Sequence, residues 1–80
     1  MTINILCFGI TKDIIGTFQL SVKLPEKCNT GFLMRQLQTT YPELMKLTSL
    51  RFALNNEYTT TTEILKDGDE IALIPPVSGG

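Results

Sequence analysis

The sequence predicts an α+β fold: a mixed sheet of about five strands, with one main helix packed on one face. Three observations predict it. Two strongly apolar segments near the N-terminus, Ile3 to Ile10 and Phe18 to Leu24, have strand patterning and lie close enough in the chain to pair as a hairpin. A stretch with apolar residues at helical spacing follows, carrying Leu33, Met34, Leu37, Tyr41 and Leu44. The chain then returns to short apolar runs. The last of these, Glu70 to Ile74, is bounded by a glycine turn and a pair of prolines.

The first strand places Ile3, Ile5 and Cys7 on one face and Leu6 and Phe8 on the other. Both faces are apolar, the pattern of a strand inside a sheet or of one whose second face meets a partner. Thr11 to Thr17 reads as a connection that turns at Gly16. In the second strand Phe18, Leu20, Val22 and Leu24 alternate with Gln19, Ser21 and Lys23, so one face is wet, and Pro25 closes it. Asn29 or Thr30 caps the helix, because a short side-chain oxygen accepts from the free N–H groups of the first turn. Pro42 disfavours helical geometry at Tyr41 and ends the helix near there. Met34 and Tyr41 on this stripe read as core residues rather than cofactor contacts.

Leu50 to Leu54 alternates again as a third strand, Asn55-Asn56 turns it, and Glu57-Tyr58 is a short return. Thr59 to Thr62 reads as a solvated edge or loop, after which Ile64 and Leu65 plug back toward the core. In Asp67-Gly68-Asp69 the glycine accepts the positive φ that other residues avoid, and Glu70 to Ile74 follows as the last strand. Pro75 and Pro76 lack the N–H that a ladder needs, so the sheet stops there. Val77-Ser78-Gly79-Gly80 then forms a thin arm, reaching roughly 20 Å from Pro75 at about 3.3 Å per extended residue. A narrow active site admits Gly79-Gly80, where branched residues would clash with its walls.

The expectation is a single domain over residues 1–80 with an extended tail at 75–80. Hydrophobic residues make up 42% of the chain, enough for a globular core. The net charge of −1, with scattered lysines, lacks the basic patch of a nucleic-acid face. No apolar run approaches the roughly 20 residues of a membrane span, and the N-terminus has no export signal, so a cytoplasmic protein is expected. Cys7 and Cys28 then read as reduced thiols without a catalytic role. There is no histidine, the commonest general base and metal ligand. No Cys-x-x-Cys pair or phosphate loop replaces it, and Asp67, Asp69 and Glu70 are too few and too local for a cation site. No metal site and no cofactor bound by this chain are expected. If the chain takes part in a reaction, it does so as a carried group or a partner.

The predicted order is strand, strand, helix, strand, short strand, strand. With the helix as crossover, the first and last strands pair naturally in parallel, which is the ubiquitin-like β-grasp arrangement. In that pairing Ile71 and Leu73 face the helix, and Ala72 and Ile74 face away together with Leu6 and Phe8. With Tyr58 they form an exposed apolar patch beside the tail, the kind of surface that marks a partner site.

At these residues the chain resembles the small subunit of molybdopterin synthase, a ubiquitin-like sulfur carrier. The resemblance runs over nearly the whole chain and is strongest from Asp67 to Gly80. Phe8-Gly9-Ile10-Thr11-Lys12-Asp13-Ile14-Ile15-Gly16 resembles the family's Phe-Ala-x-x-Arg-Glu-x-x-Gly segment, with Lys12 in the arginine position. Lysine cannot form a bidentate carboxylate pair. Ala53-Leu54-Asn55-Asn56-Glu57-Tyr58 resembles its Ala-Val-Asn-x-Glu-Tyr stretch.

The resemblance implies a carrier cycle. A ubiquitin-activating-like adenylyltransferase, holding ATP and Mg, adenylates the Gly80 carboxylate, and persulfide sulfur replaces AMP to leave a thiocarboxylate. The large subunit of molybdopterin synthase takes in the tail, Pro75, Pro76, Val77, Ser78 and Gly79, and uses the sulfur on cyclic pyranopterin monophosphate. A dithiolene needs two sulfurs, so two loaded carriers serve each product, and a heterotetramer of two small and two large subunits is implied. Phe8, Tyr58 and Ile74 are the implied contacts to the large subunit. Other readings stay open: a carrier for thiamine synthesis or tRNA thiolation, a ubiquitin-like modifier joined through Gly80 to lysines, or a binding module without tail chemistry.

Overall fold

A computed structural model of the protein describes residues 1–47, 50–59 and 62–75. The elements run β1 (Thr2–Cys7), α1 (Ile10–Ile15), β2 (Gln19–Lys23), α2 (Thr30–Thr40), a 3-10 turn (Pro42–Lys46), β3 (Arg51–Leu54), β4 (Glu57–Tyr58) and β5 (Glu70–Ile74). They build one five-stranded sheet in the order β2-β1-β5-β3-β4. β1 pairs antiparallel with β2 and parallel with β5, Ile5 beside Ile71 and Cys7 beside Leu73. β3 pairs antiparallel with both β5 and β4. The doubly apolar β1 is thus an interior strand, the first of the two alternatives its pattern allows. Among the described residues no helix is long and apolar enough to cross a membrane.

The core lies between the sheet and α2. Ile3, Ile5 and Cys7 of β1, Phe52 of β3 and Ile71 and Leu73 of β5 are buried against Leu33 and Leu37 of α2, with Leu24, Leu44 and Leu65 closing the ends. Each fully buried isoleucine or leucine contributes about 2 kcal/mol of transfer free energy, so this layer accounts for most of the driving force. Met34 and Tyr41 pack half-buried at its rim. Asn29 rather than Thr30 caps α2, its side chain accepting from the Phe32 N–H at 2.8 Å. The helix stops at Thr40, before the Tyr41–Pro42 step.

Three local expectations are corrected. β1 ends at Cys7, not Ile10, and the connection after it holds the short helix α1, stopped by Gly16 in the left-handed conformation (φ 94°). The switch is made by buried Thr11, whose Oγ1 accepts from the Phe8 N–H at 2.8 Å and donates to the Phe8 carbonyl at 2.6 Å. That hydroxyl takes both backbone groups of Phe8, so the strand cannot continue its ladder through this residue. Ile64 is 55% exposed, and only Leu65 enters the core. β2 is shorter than expected, and Phe18 just before it is exposed. Of the run Thr59 to Thr62, Thr60 and Thr61 lie outside the described residues.

Candidate functional site

The sheet face turned away from α2 carries an apolar row. The pairings Leu6 with Ala72, Ala72 with Ala53 and Ala53 with Tyr58 set these four residues side by side across four strands. Successive residues of a strand point to opposite faces, so this row lies opposite the core row of Cys7, Leu73 and Phe52. The middle of the row is low, because Ala72 and Ala53 stand between the larger Leu6 and Tyr58. Tyr58 is 66% exposed. The next outward pair is Ile74 with Arg51. Arg51 Cζ lies 5.3 Å from the centroid of the Tyr58 ring, a cation–π distance that holds the ring at the sheet edge.

The row ends where β5 ends. Ile74 is half-buried and is the last residue of that strand, and Pro75 follows it. Pro75 meets the start of α1: a Cβ built on Gly9 would lie 3.2 Å from Pro75 Cγ. Gly9 also has φ 55°, which side-chain-bearing residues rarely adopt, so a side chain there would be strained in its backbone and tight against Pro75. Phe8, beside it, is 49% exposed, while its backbone is held by Thr11. The structure therefore brings Phe8, Ile74 and Pro75 to one end of the sheet, and Tyr58 to the edge of the same outward face. Pro76, Val77, Ser78, Gly79 and Gly80 lie outside the described residues.

Arg51 and Ala53 were not singled out from the sequence. Their alternation with buried Phe52 was the available signal, since it sets them on the face opposite the core. Among the described residues, no three His, Cys, Asp or Glu side chains stand together where an ion would fit. Cys7 lies in the core, where burial pushes its thiol above the ordinary range, away from the reactive thiolate. Cys28 is half-buried and unpaired.

A parallel first-and-last strand pair, one crossover helix and a mixed sheet that buries one face against that helix define a ubiquitin-like β-grasp protein. The solved structure of SAMP1 from Haloferax volcanii has this fold, with a TM-score of 0.87 at 24% identity and all of both chains covered. The chain belongs to the ThiS family, whose model matches residues 5–80. It is 37% identical over 79 residues to the molybdopterin synthase sulfur carrier subunit of Arabidopsis thaliana, covering 98% of this chain and 82% of the relative. It is also 30% identical to a chain in the solved complex of subunits 1 and 2 of molybdopterin-converting factor from Helicobacter pylori, with a TM-score of 0.71 and all of both chains covered.

Proposed function

We propose that this protein is the sulfur carrier subunit of a molybdopterin synthase. One observation carries the reading: the central strand β5 ends at Ile74, followed by Pro75, beside the outward apolar row of Leu6, Ala72, Ala53 and Tyr58, and the sequence continues from there to Gly79-Gly80. In this reading the face is the docking surface and the arm is the cargo site. An adenylyltransferase with bound ATP and Mg activates the Gly80 carboxylate. The carboxylate oxygen attacks the α-phosphorus and pyrophosphate leaves, turning a poor electrophile into an acyl adenylate. The outer sulfur of a persulfide donor then attacks the acyl carbon and expels AMP. A thiol of the donor protein cleaves the resulting acyl disulfide, so that the thiocarboxylate stays on Gly80 and the donor is left with a disulfide. The large subunit supplies the groups that move this sulfur to the pterin. Phe8, Tyr58 and Ile74 contact it, and Pro75, Pro76, Val77, Ser78 and Gly79 thread into it.

The physical support is consistent with a passive donor. A thioacid on glycine needs no neighbouring base of its own, and a slim arm enters a site that a branched one could not. The activating enzyme and the large subunit both need the tail, so they compete for this protein.

Intact-mass spectrometry tests the reading. After incubation with the activating enzyme, a sulfur donor and ATP, the chain gains about 16 Da at its C-terminus, oxygen exchanged for sulfur, following the nucleophile logic of acyl transfer. A modifier would instead appear as ladders on other proteins. A chain that never gains sulfur refutes the carrier reading.

A further inference from the structure

The sheet has two edges, and they differ. β4 spans only Glu57–Tyr58, whereas β2 spans Gln19–Lys23. In the β1–β2 pair the Cys7 N–H donates to the Phe18 carbonyl at 2.8 Å, and the Leu24 N–H donates to the Met1 carbonyl at 2.9 Å. With the register Ile3–Val22 and Ile5–Leu20, the residues facing β1 through their backbone are therefore Phe18, Leu20, Val22 and Leu24. The N–H and C=O groups of Gln19, Ser21 and Lys23 point off the edge. At Gln19 they are already occupied, since Thr17 Oγ1 donates to its carbonyl at 3.1 Å and accepts from its N–H at 3.4 Å. At Ser21 and Lys23 they meet no partner among the described residues.

A groove of about 280 Å³ runs along this same edge, between β2 and α2. Leu33 and Leu37 form its floor, and Leu20, Val22 and Tyr41, all half-buried, form its walls. Its lining includes no carboxylate, and the one charged residue is Lys23, exposed and without an ion-pair partner among the described residues.

We propose that the free edge of β2 and the groove beside it form a docking site for an extended segment of a partner protein, apolar at alternate positions and acidic opposite Lys23. Unpaired ladder groups select a strand, because only an extended backbone offers donors and acceptors at their spacing. Once such a strand is added, its alternate side chains point over the groove and its others point to the outer face. A carboxylate on that outer set, directly across from Lys23, makes a favourable cross-strand pair. A second copy of this chain fits less well. Its own Leu20 and Val22 already lie against its own helix and cannot fill the groove, whereas an extended segment brings free apolar side chains.

This site lies at the opposite edge from Tyr58 and, in its groove, on the opposite face of the sheet. The two surfaces can therefore be engaged together, and the proposal does not depend on the tail chemistry. Its consequence is a tether: a protein held at β2 stays attached while the outer face and the tail are used.

The test starts from random twelve-residue peptides displayed on phage and selected on the full-length chain. The expected winners alternate apolar residues and carry aspartate or glutamate. In nitrogen-15 spectra the best synthetic peptide shifts and protects the amides of Ser21 and Lys23, moves Leu20, Val22 and Tyr41, and leaves Tyr58 and Ile74 in place. Methylating alternate backbone nitrogens of that peptide weakens binding about tenfold or more, since each methyl group removes a donor from the ladder. This comparison leaves the protein untouched, so folding does not confuse it. Lys23→Glu, on an exposed side chain, shifts selection toward basic peptides. The proposal is overturned if selection yields no enrichment above a scrambled library, or if the footprint falls on Phe8, Tyr58 and Ile74. It is equally overturned if sedimentation shows a dimer in which Ser21 and Lys23 are protected without peptide.

Discussion

Asn55 ties the turn after β3 to the start of β5 through three hydrogen bonds. Its N–H donates to the Glu70 carbonyl at 2.8 Å, its Oδ1 accepts from the Glu70 N–H at 3.0 Å, and its Nδ2 donates to Asp69 Oδ1 at 3.1 Å. At φ 48° it also takes the left-handed conformation that asparagine tolerates better than most residues. The sequence showed a turn here; the clamp onto the start of β5 depends on a contact fifteen residues away. Asn55→Ala removes both side-chain bonds and should cost about 2 kcal/mol in urea unfolding, at about 1 kcal/mol per bond. A loss below about 0.5 kcal/mol would show that water replaces the clamp. Cys7 makes a second prediction. Its folded pKa is raised by burial, so the unfolded chain releases the proton first as pH increases. The stabilisation is complete below the ordinary thiol pKa of about 8.5 and is lost as pH rises through the folded value. Unfolding free energy measured from neutral to alkaline pH should fall across that window in the native chain more than in Cys7→Ala.

At the scale of elements, β1, α2 and β5 were legible because each carries a periodic apolar pattern that matches its burial. α1 was not. Its six residues, Ile10–Ile15, include three isoleucines, too short a run and too rich in β-branched side chains to read as a helix. Its start depends on the Thr11 hydroxyl and its close packing on Pro75, contacts that no local pattern announces. Thr11→Val keeps the shape and removes the two hydroxyl hydrogen bonds to Phe8, leaving the Thr11 N–H bond to the Phe8 carbonyl. It should destabilise the protein by about 1 to 2 kcal/mol. Hydrogen exchange should speed up in α1 while β1 and β5 keep their protection. Uniform acceleration over the whole sheet would contradict the separate role given to this junction.

For the molecule as a whole, the proposed function assigns different work to the body and to the tail. Deleting Gly80 should leave the thermal midpoint unchanged, because Pro75 already ends the sheet, and should abolish the mass gain of the sulfur-loading assay. A collapse of the melting curve would mean that the terminus packs on its own domain. Ile74→Lys acts in the complementary way. Its half-buried side chain sits on the outward face, so calorimetric affinity for the large subunit should drop by at least about tenfold, or about 1.4 kcal/mol, if it is an interface centre. Stability should change less than affinity. Equal binding by wild type and variant would remove Ile74 from the proposed contact set.

Composition and order alone determined that this is a small α+β protein without a histidine, built from a hairpin, one main helix and a late strand that stops at two prolines. They did so because alternation, helical spacing and proline's missing N–H are local properties. Only the tertiary structure decided that Leu6, Ala72, Ala53 and Tyr58 stand in one row, that Arg51 covers the Tyr58 ring, and that Thr11 ends β1. Those facts belong to strand register and to hydrogen bonds between separated or newly turned segments. A sequence pattern says which face a residue takes, but not which neighbour the fold brings beside it.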